Sequence, residues 1–177
     1  MAARPSLASL ISRVRTLIDD NATTKTFTDD EVQTALDGWR TDVRYLVLRP
    51  AETRTASGVE YRDYYAPVGD WESDVVLYDG TYAALTPKTS DYQTGHWTFA
   101  DSTGPPVYLV GKTFDVYVAA ADLLEAWAAK VKTAYDFTAD GASFSRSQQV
   151  ATLLGLASDY RRRQRSVTAL QVRGDVA

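Results

Sequence analysis

A chain of 177 residues with a net charge of −4 is long enough for one core of ordinary size and too short for a large multidomain enzyme. It has no cysteine, which excludes disulfide scaffolds, thiol nucleophiles and thiolate-held metal centres, and its single histidine, His96, excludes multi-histidine metal sites. Hydrophobic residues at 45% and charged residues at 24% suit a folded protein; with no apolar run near the roughly 18 residues of a membrane span and no apolar stretch in residues 1–5, the expectation is a soluble intracellular product.

Ser6, a candidate cap, precedes Leu7, Leu10, Ile11, Val14, Leu17 and Ile18 at helical spacing, which predicts a first helix. Thr28-Asp29-Asp30-Glu31 is a capping box, and Phe27 can pack on Val32 as a staple, so a second helix starts there. Ala35, Leu36, Trp39, Val43 and Leu46 continue its apolar stripe until Arg49-Pro50 ends it.

From residue 51 to 111 the helical period disappears and turn residues recur. Val75 to Tyr78 and Thr81 to Leu85 flank Asp79-Gly80, which reads as a two-residue type I′ hairpin; His96 to Ala100 and Val107 to Val110 read as a second hairpin with a longer loop. Seven of the eleven tyrosines fall between Val59 and Val110, which suits a small sheet held by aromatic pairs. Asp70, Glu72 and Asp74 alternate and are expected on one strand face.

Helix returns after Thr113, with Val116, Ala120, Leu123, Leu124, Trp127, Val131 and Tyr135 on one side and Ala119-Ala120-Ala121 allowing close approach of a neighbour. Residues 136–144 read as a loop, and Ser143 or Ser145 as the cap of a fourth helix with Val150, Leu153, Leu154, Ala157 and Tyr160 buried. The expected shared core is Leu10, Val14, Leu36, Trp39, Leu123, Trp127 and Leu154. Arg161, Arg162, Arg163 and Arg165 end the fourth helix, and residues 166–177 read as an extended tail. The middle of the chain is acidic and its end basic, the pattern of a protein that meets different partners at different ends.

No phosphate-binding loop, dinucleotide fingerprint or nucleophile elbow occurs. His96 with a nearby aspartate could form a base, but no nucleophile accompanies it and a structural role is favoured. Asp136, Asp140 and Gly141 match only a fragment of a calcium loop. The aromatic, acidic middle admits a sugar-stacking platform, set against a small aromatic core as the preferred reading. Four arginines in five positions exceed what a helix dipole calls for and point to phosphates or an acidic protein surface.

Certain pieces, in their order, resemble the head-to-tail adaptor (connector) proteins of tailed bacteriophages and related gene transfer particles. They are Leu10-Ile11-Ser12-Arg13-Val14-Arg15, Phe27-Thr28-Asp29-Asp30-Glu31-Val32, the stretch from Asp115 through Ala119-Ala120-Ala121 to Ala128, and the turn from Asp136 to Gln148 with its Ser145-Arg146-Ser147. The resemblance covers the helical parts and not residues 51–111. It implies a mainly α fold, a four-helix adaptor bundle over residues 1–50 and 112–165 with a small antiparallel β insertion, 51–111, between helices 2 and 3.

In function it implies a non-enzymatic virion protein without cofactor, made in the host cytoplasm and placed at the head–tail junction. About twelve copies would form a ring between the portal protein and a stopper or tail-completion protein, with packaged DNA passing through unread and no membrane involved. Arg161, Arg162, Arg163, Arg165, Val167, Leu170 and Val172 are then the expected portal contacts. The alternative is a carbohydrate-binding accessory module built on the aromatic insertion.

Overall fold

The structure, a computed structural model, describes residues 3–21, 25–56, 58–132, 137–139, 142–144 and 146–165. Along the chain come a 3-10 turn (Pro5–Leu7), α1 (Ala8–Leu17), α2 (Asp29–Gly38), β1 (Arg40–Val47), β2 (Arg49–Thr55), β3 (Gly58–Tyr65) and β4 (Val76–Tyr78). There follow β5 (Ala84–Leu85), β6 (Thr89–Asp91), β7 (His96–Thr98), β8 (Tyr108–Phe114), α3 (Val116–Lys132), β9 (Phe137–Ala139), β10 (Ala142–Phe144) and α4 (Arg146–Arg161). Two compact units result: the chain up to Trp39 with Asp115–Arg165, and Arg40–Phe114.

The expected mainly α bundle is therefore corrected to an α+β fold with two antiparallel four-stranded sheets, ordered β1-β8-β4-β5 and β2-β3-β7-β6. The error lies at residues 40–50. The second helix stops at Gly38, and Val43 and Leu46 lie in β1, paired with Gly111 and Leu109 of β8. A bulge between Val43 and Leu46 puts two apolar residues three apart on the same inner face, a spacing that strands lack without a bulge and helices have everywhere. Arg49-Pro50 opens β2, an edge strand, where a missing N–H is tolerated.

The hairpins differ as well. Asp79 to Ala83 form a five-residue loop between the pairs Leu77–Leu85 and Tyr78–Ala84, closed by the Asp79 N–H on the Ala83 carbonyl, so the type I′ turn is absent. β7 pairs with β3 and β6, whereas β8 pairs with β1 and β4, so these two strands belong to different sheets. Residues 70–74 form no strand; Trp71 alone bridges to Thr113, and Asp70 and Glu72 are buried while Asp74 is exposed. Inner faces of both sheets share one core built on Tyr64, Trp71, Leu77, Trp97, Phe99 and Leu109. Tight turns serve it: Gly95 has φ 75°, and a Cβ there would meet the Val68 carbonyl oxygen at 2.5 Å.

In the helical unit, α3 is the centre. Val118 to Ala121, Leu123 and Leu124 are all buried because α1, α2 and α4 pack on different sides of α3, and the alanines admit close approach. The 3-10 turn takes up Ser6, so Leu7 and not Ser6 stands at the start of α1. The capping box of α2 is formed, Thr28 Oγ1 accepting from the Glu31 N–H and Glu31 Oε2 from the Thr28 N–H. Leu10, Val14, Leu36 and Leu123 are buried. Trp39 is only half-buried, because its indole N–H donates outward to Asp122 Oδ2 at 2.6 Å; Trp127, half-buried too, meets Phe27 edge to face. Leu154 is 46% exposed: α4 packs along α3 by a narrow stripe that includes Ala157 and Tyr160, and Leu154 falls beside it. The expected loop at 136–144 contains the β9–β10 hairpin; Ser145, Asp136, Asp140 and Gly141 lie outside the described residues.

The connection from α1 to α2 is held by a buried ion pair. Arg15, 4% exposed, donates to Asp20 Oδ2 at 2.7 Å, to Asp29 Oδ1 and to the Phe27 carbonyl; Asp20 also accepts the Thr26 and Phe27 N–H groups. Removing one partner would leave a buried charge alone. Asp20→Ala is expected to lower the unfolding free energy by about 3–5 kcal/mol, read by urea denaturation, and a change below about 1 kcal/mol would show that the site relaxes to admit water.

Candidate interaction surfaces

The arginine-rich end of α4 is organised by its neighbours. Arg161 makes a forked contact, Nε to Glu125 Oε1 and Nη2 to Glu125 Oε2, both at 2.9 Å, and Nη2 also reaches Asp122 Oδ1 at 2.8 Å. This guanidinium holds the Glu125 carboxyl below its ordinary range, chiefly through the hydrogen bonds. Arg163 lies over the rings of Tyr117 and Tyr160, Arg162 is an exposed partner of Asp159, and the Arg165 N–H donates to Asp115 Oδ2. The structure thus brings the four arginines to one helix end but commits Arg161 internally, leaving Arg162 and Arg163 outward. Val167, Leu170 and Val172 lie outside the described residues.

A second surface was not anticipated. In the β1-β8-β4-β5 sheet, Leu46, Leu109, Leu77 and Leu85 form a cross-strand row that faces the core, so the rows on either side face outward. One of these is Val47–Tyr108–Tyr78–Ala84 and another Val110–Val76. Tyr45 and Tyr82 complete the face, with ring centroids 5.5 Å apart and planes at 87°, and Tyr82 stacks on Tyr108. Both have left-handed backbones, φ 53° and 64°, which for a tyrosine costs about 1 kcal/mol or more. The bulge imposes this on Tyr45. At Tyr82 the cause is Asp79, whose Oδ1 gathers the Thr81 N–H, the Thr81 hydroxyl and the Ala83 N–H into a tight loop. Tyr82 is 60% exposed, whereas Trp97 on β7 is buried.

A third cluster surrounds His96. Its Nε2 lies 2.9 Å from Asp63 Oδ1, the Thr98 hydroxyl donates to the same oxygen at 2.6 Å, and Tyr65 stacks flat on the imidazole at 4.4 Å. Thr98 first and His96 second lower the Asp63 pKa. The pair cross-links β3 and β7 on the outer face of their sheet. Lys112 does similar work elsewhere, its Nζ meeting Asp74 at 2.7 Å and buried Glu72 at 3.4 Å, which raises its pKa. Among the described residues no group of three or more acids and histidines could hold a metal ion.

The Arg161 fork gives a pH-dependent expectation. Glu125 has a folded pKa below its unfolded value, so the contact contributes in full above the unfolded value of about 4.3 and is lost as pH falls through the folded one. Both side chains are more than a third exposed, so Arg161→Gln should cost only about 1 kcal/mol at neutral pH. Urea denaturation should show this gap at neutral pH and its progressive loss as the pH falls below the unfolded value of about 4.3; a gap that stays constant through acid pH would mean that Glu125 is not the partner that matters. Comparison with protein-family models, with curated proteins and with solved structures gives no match.

Proposed function

We propose that the chain is a structural subunit of a head–tail adaptor ring in a tailed-phage or related particle, binding the portal on one side and a stopper or tail-completion protein on the other. The observation that supports the reading is the layout of the helical unit. The two front helices, α1 and α2, and the last helix, α4, close around α3 although the β unit separates front from rear in the chain, and α4 ends in outward arginines that precede residues 166–177 in the sequence. The pieces that carry the resemblance, residues 10–15, 27–32, 115–128 and 136–148, belong to this unit. Arg162 and Arg163 offer charge to an acidic portal surface, and residues 166–177 add an apolar contact through Val167, Leu170 and Val172.

The competing carbohydrate reading draws on the exposure of Tyr82 and Tyr45, but those rings stand at 87° and present no flat platform. Binding on a glycan array that Tyr82→Ala abolishes would favour it.

Mixing the purified chain with portal oligomers from the same genome should give, in cryo-electron micrographs, a ring seated on one end of the portal. Arg162→Ser with Arg163→Ser should weaken attachment most at low salt, and the difference from the unaltered chain should shrink as salt rises, because exposed charge pairs are screened. A chain that stays apart from the portal at all salt and protein concentrations would sink the adaptor reading.

A further inference from the structure

We propose that β2 is the contact by which two copies of this chain pair, edge to edge about a two-fold axis, joining their β2-β3-β7-β6 sheets into one continuous sheet. β2 is an edge of its sheet, and Glu52, Thr53, Arg54 and Thr55 along it are all exposed. An open strand edge of this kind is a template for another strand.

The hydrogen bonds of β3 say which groups β2 turns outward. Tyr61, opposite Glu52, gives its N–H to Ser102 Oγ, and its carbonyl accepts the Thr103 N–H; both partners lie in the loop that follows β7, away from β2. Glu52 and Tyr61 are therefore a non-hydrogen-bonded pair, and the N–H and C=O of Glu52 point out of the sheet edge. Alternation gives Arg54 the same direction and turns the backbone groups of Thr53 inward, towards Glu60. Pro50 falls in the outward set, where its missing N–H costs the β2–β3 ladder nothing and ends any ladder formed outside it.

The charges choose the partner. With Thr53 of one copy opposite Thr53 of the other, antiparallel pairing sets Glu52 opposite Arg54 of the second copy and Arg54 opposite Glu52 of the second copy. Each of these pairs then exchanges two main-chain hydrogen bonds and joins opposite charges. Centring the pair on Glu52 or on Arg54 would instead set like charges face to face. Charges that ordinarily guard an edge thus admit a copy of this strand in one register. A two-fold pair goes beyond the adaptor reading, whose ring joins unlike faces, and it is tested on the free chain.

Because the chain has no cysteine, Thr53→Cys supplies a single thiol. Across the two-fold axis its Cα atoms would stand about 4.5 Å apart, within reach of a disulfide, whereas those of Thr55→Cys would stand about 14 Å apart. With diamide as oxidant, Thr53→Cys should form a covalent dimer several-fold faster than Thr55→Cys. Sedimentation velocity over a concentration series should show a dimer of the unaltered chain. Glu52→Arg or Arg54→Glu alone sets like charges opposite and should raise its Kd about tenfold or more; the double exchange, or an equimolar mixture of the two single variants, should restore it. That rescue separates lost pairing from a damaged hairpin. A monomer at every concentration, equal cross-linking at both positions, or a dimer indifferent to the charge exchanges would each overturn the proposal.

Discussion

The helical unit converges on Asp115. Its backbone N–H donates to the Trp39 carbonyl at 3.2 Å, joining the two points where the chain leaves this unit and returns to it. One carboxylate oxygen accepts the N–H groups of Tyr117 and Val118, capping α3, while the other holds the N–H of Arg165 beyond the end of α4. A single buried residue thus fixes the start of the central helix and the end of α4 through its side chain, and the closure of the insertion through its backbone. Closing a long excursion costs little more than closing a short one, since the entropy grows only with the logarithm of length, and Arg40–Phe114 has a core of its own. The helical unit therefore asks of the insertion only that its ends meet.

The parts of the fold legible in the sequence are those where local chemistry and tertiary packing agree. Thr28 and Glu31 satisfy each other's amides whatever surrounds them, and α3 is apolar over so much of its surface that only a central position suits it. Legibility fails where tertiary structure changes a period. Val43 and Leu46 read as helix because a bulge moved them onto one face, and the strand at His96 was matched with the wrong partner because turn residues fix where a strand ends but not which neighbour it finds. Arg15, Asp20 and Asp29 look like ordinary surface charges in the sequence; only the folded chain buries Arg15 and Asp20 together, with Asp29 at the exposed rim.

The candidate surfaces divide in the same way. Clustered arginines at a helix end are visible as a charge run, but that Glu125 and Asp122 engage Arg161 is a property of two helices lying side by side. The tyrosine face was hidden for a different reason. Around Leu77 and Leu109 both sides of the β1-β8-β4-β5 sheet are apolar, one as core and the other as aromatic surface, so this part of the strands shows no alternation of polar and apolar residues to mark the outward side. The signal available was composition: seven tyrosines in the middle of the chain exceed what one small core can bury.

α4 is anchored unevenly. Its final turns carry the Tyr160 hydroxyl bond to the Leu17 carbonyl, the Arg161 fork and the packing of Ala157, while Ser147, Gln148, Gln149, Ala151 and Thr152 near its beginning are exposed. Local opening is governed by how many such contacts must break, so the helix unwinds from its first turns while its last turns hold. Its exposed first turns can therefore open without disturbing the arginine end, which keeps its position against α3.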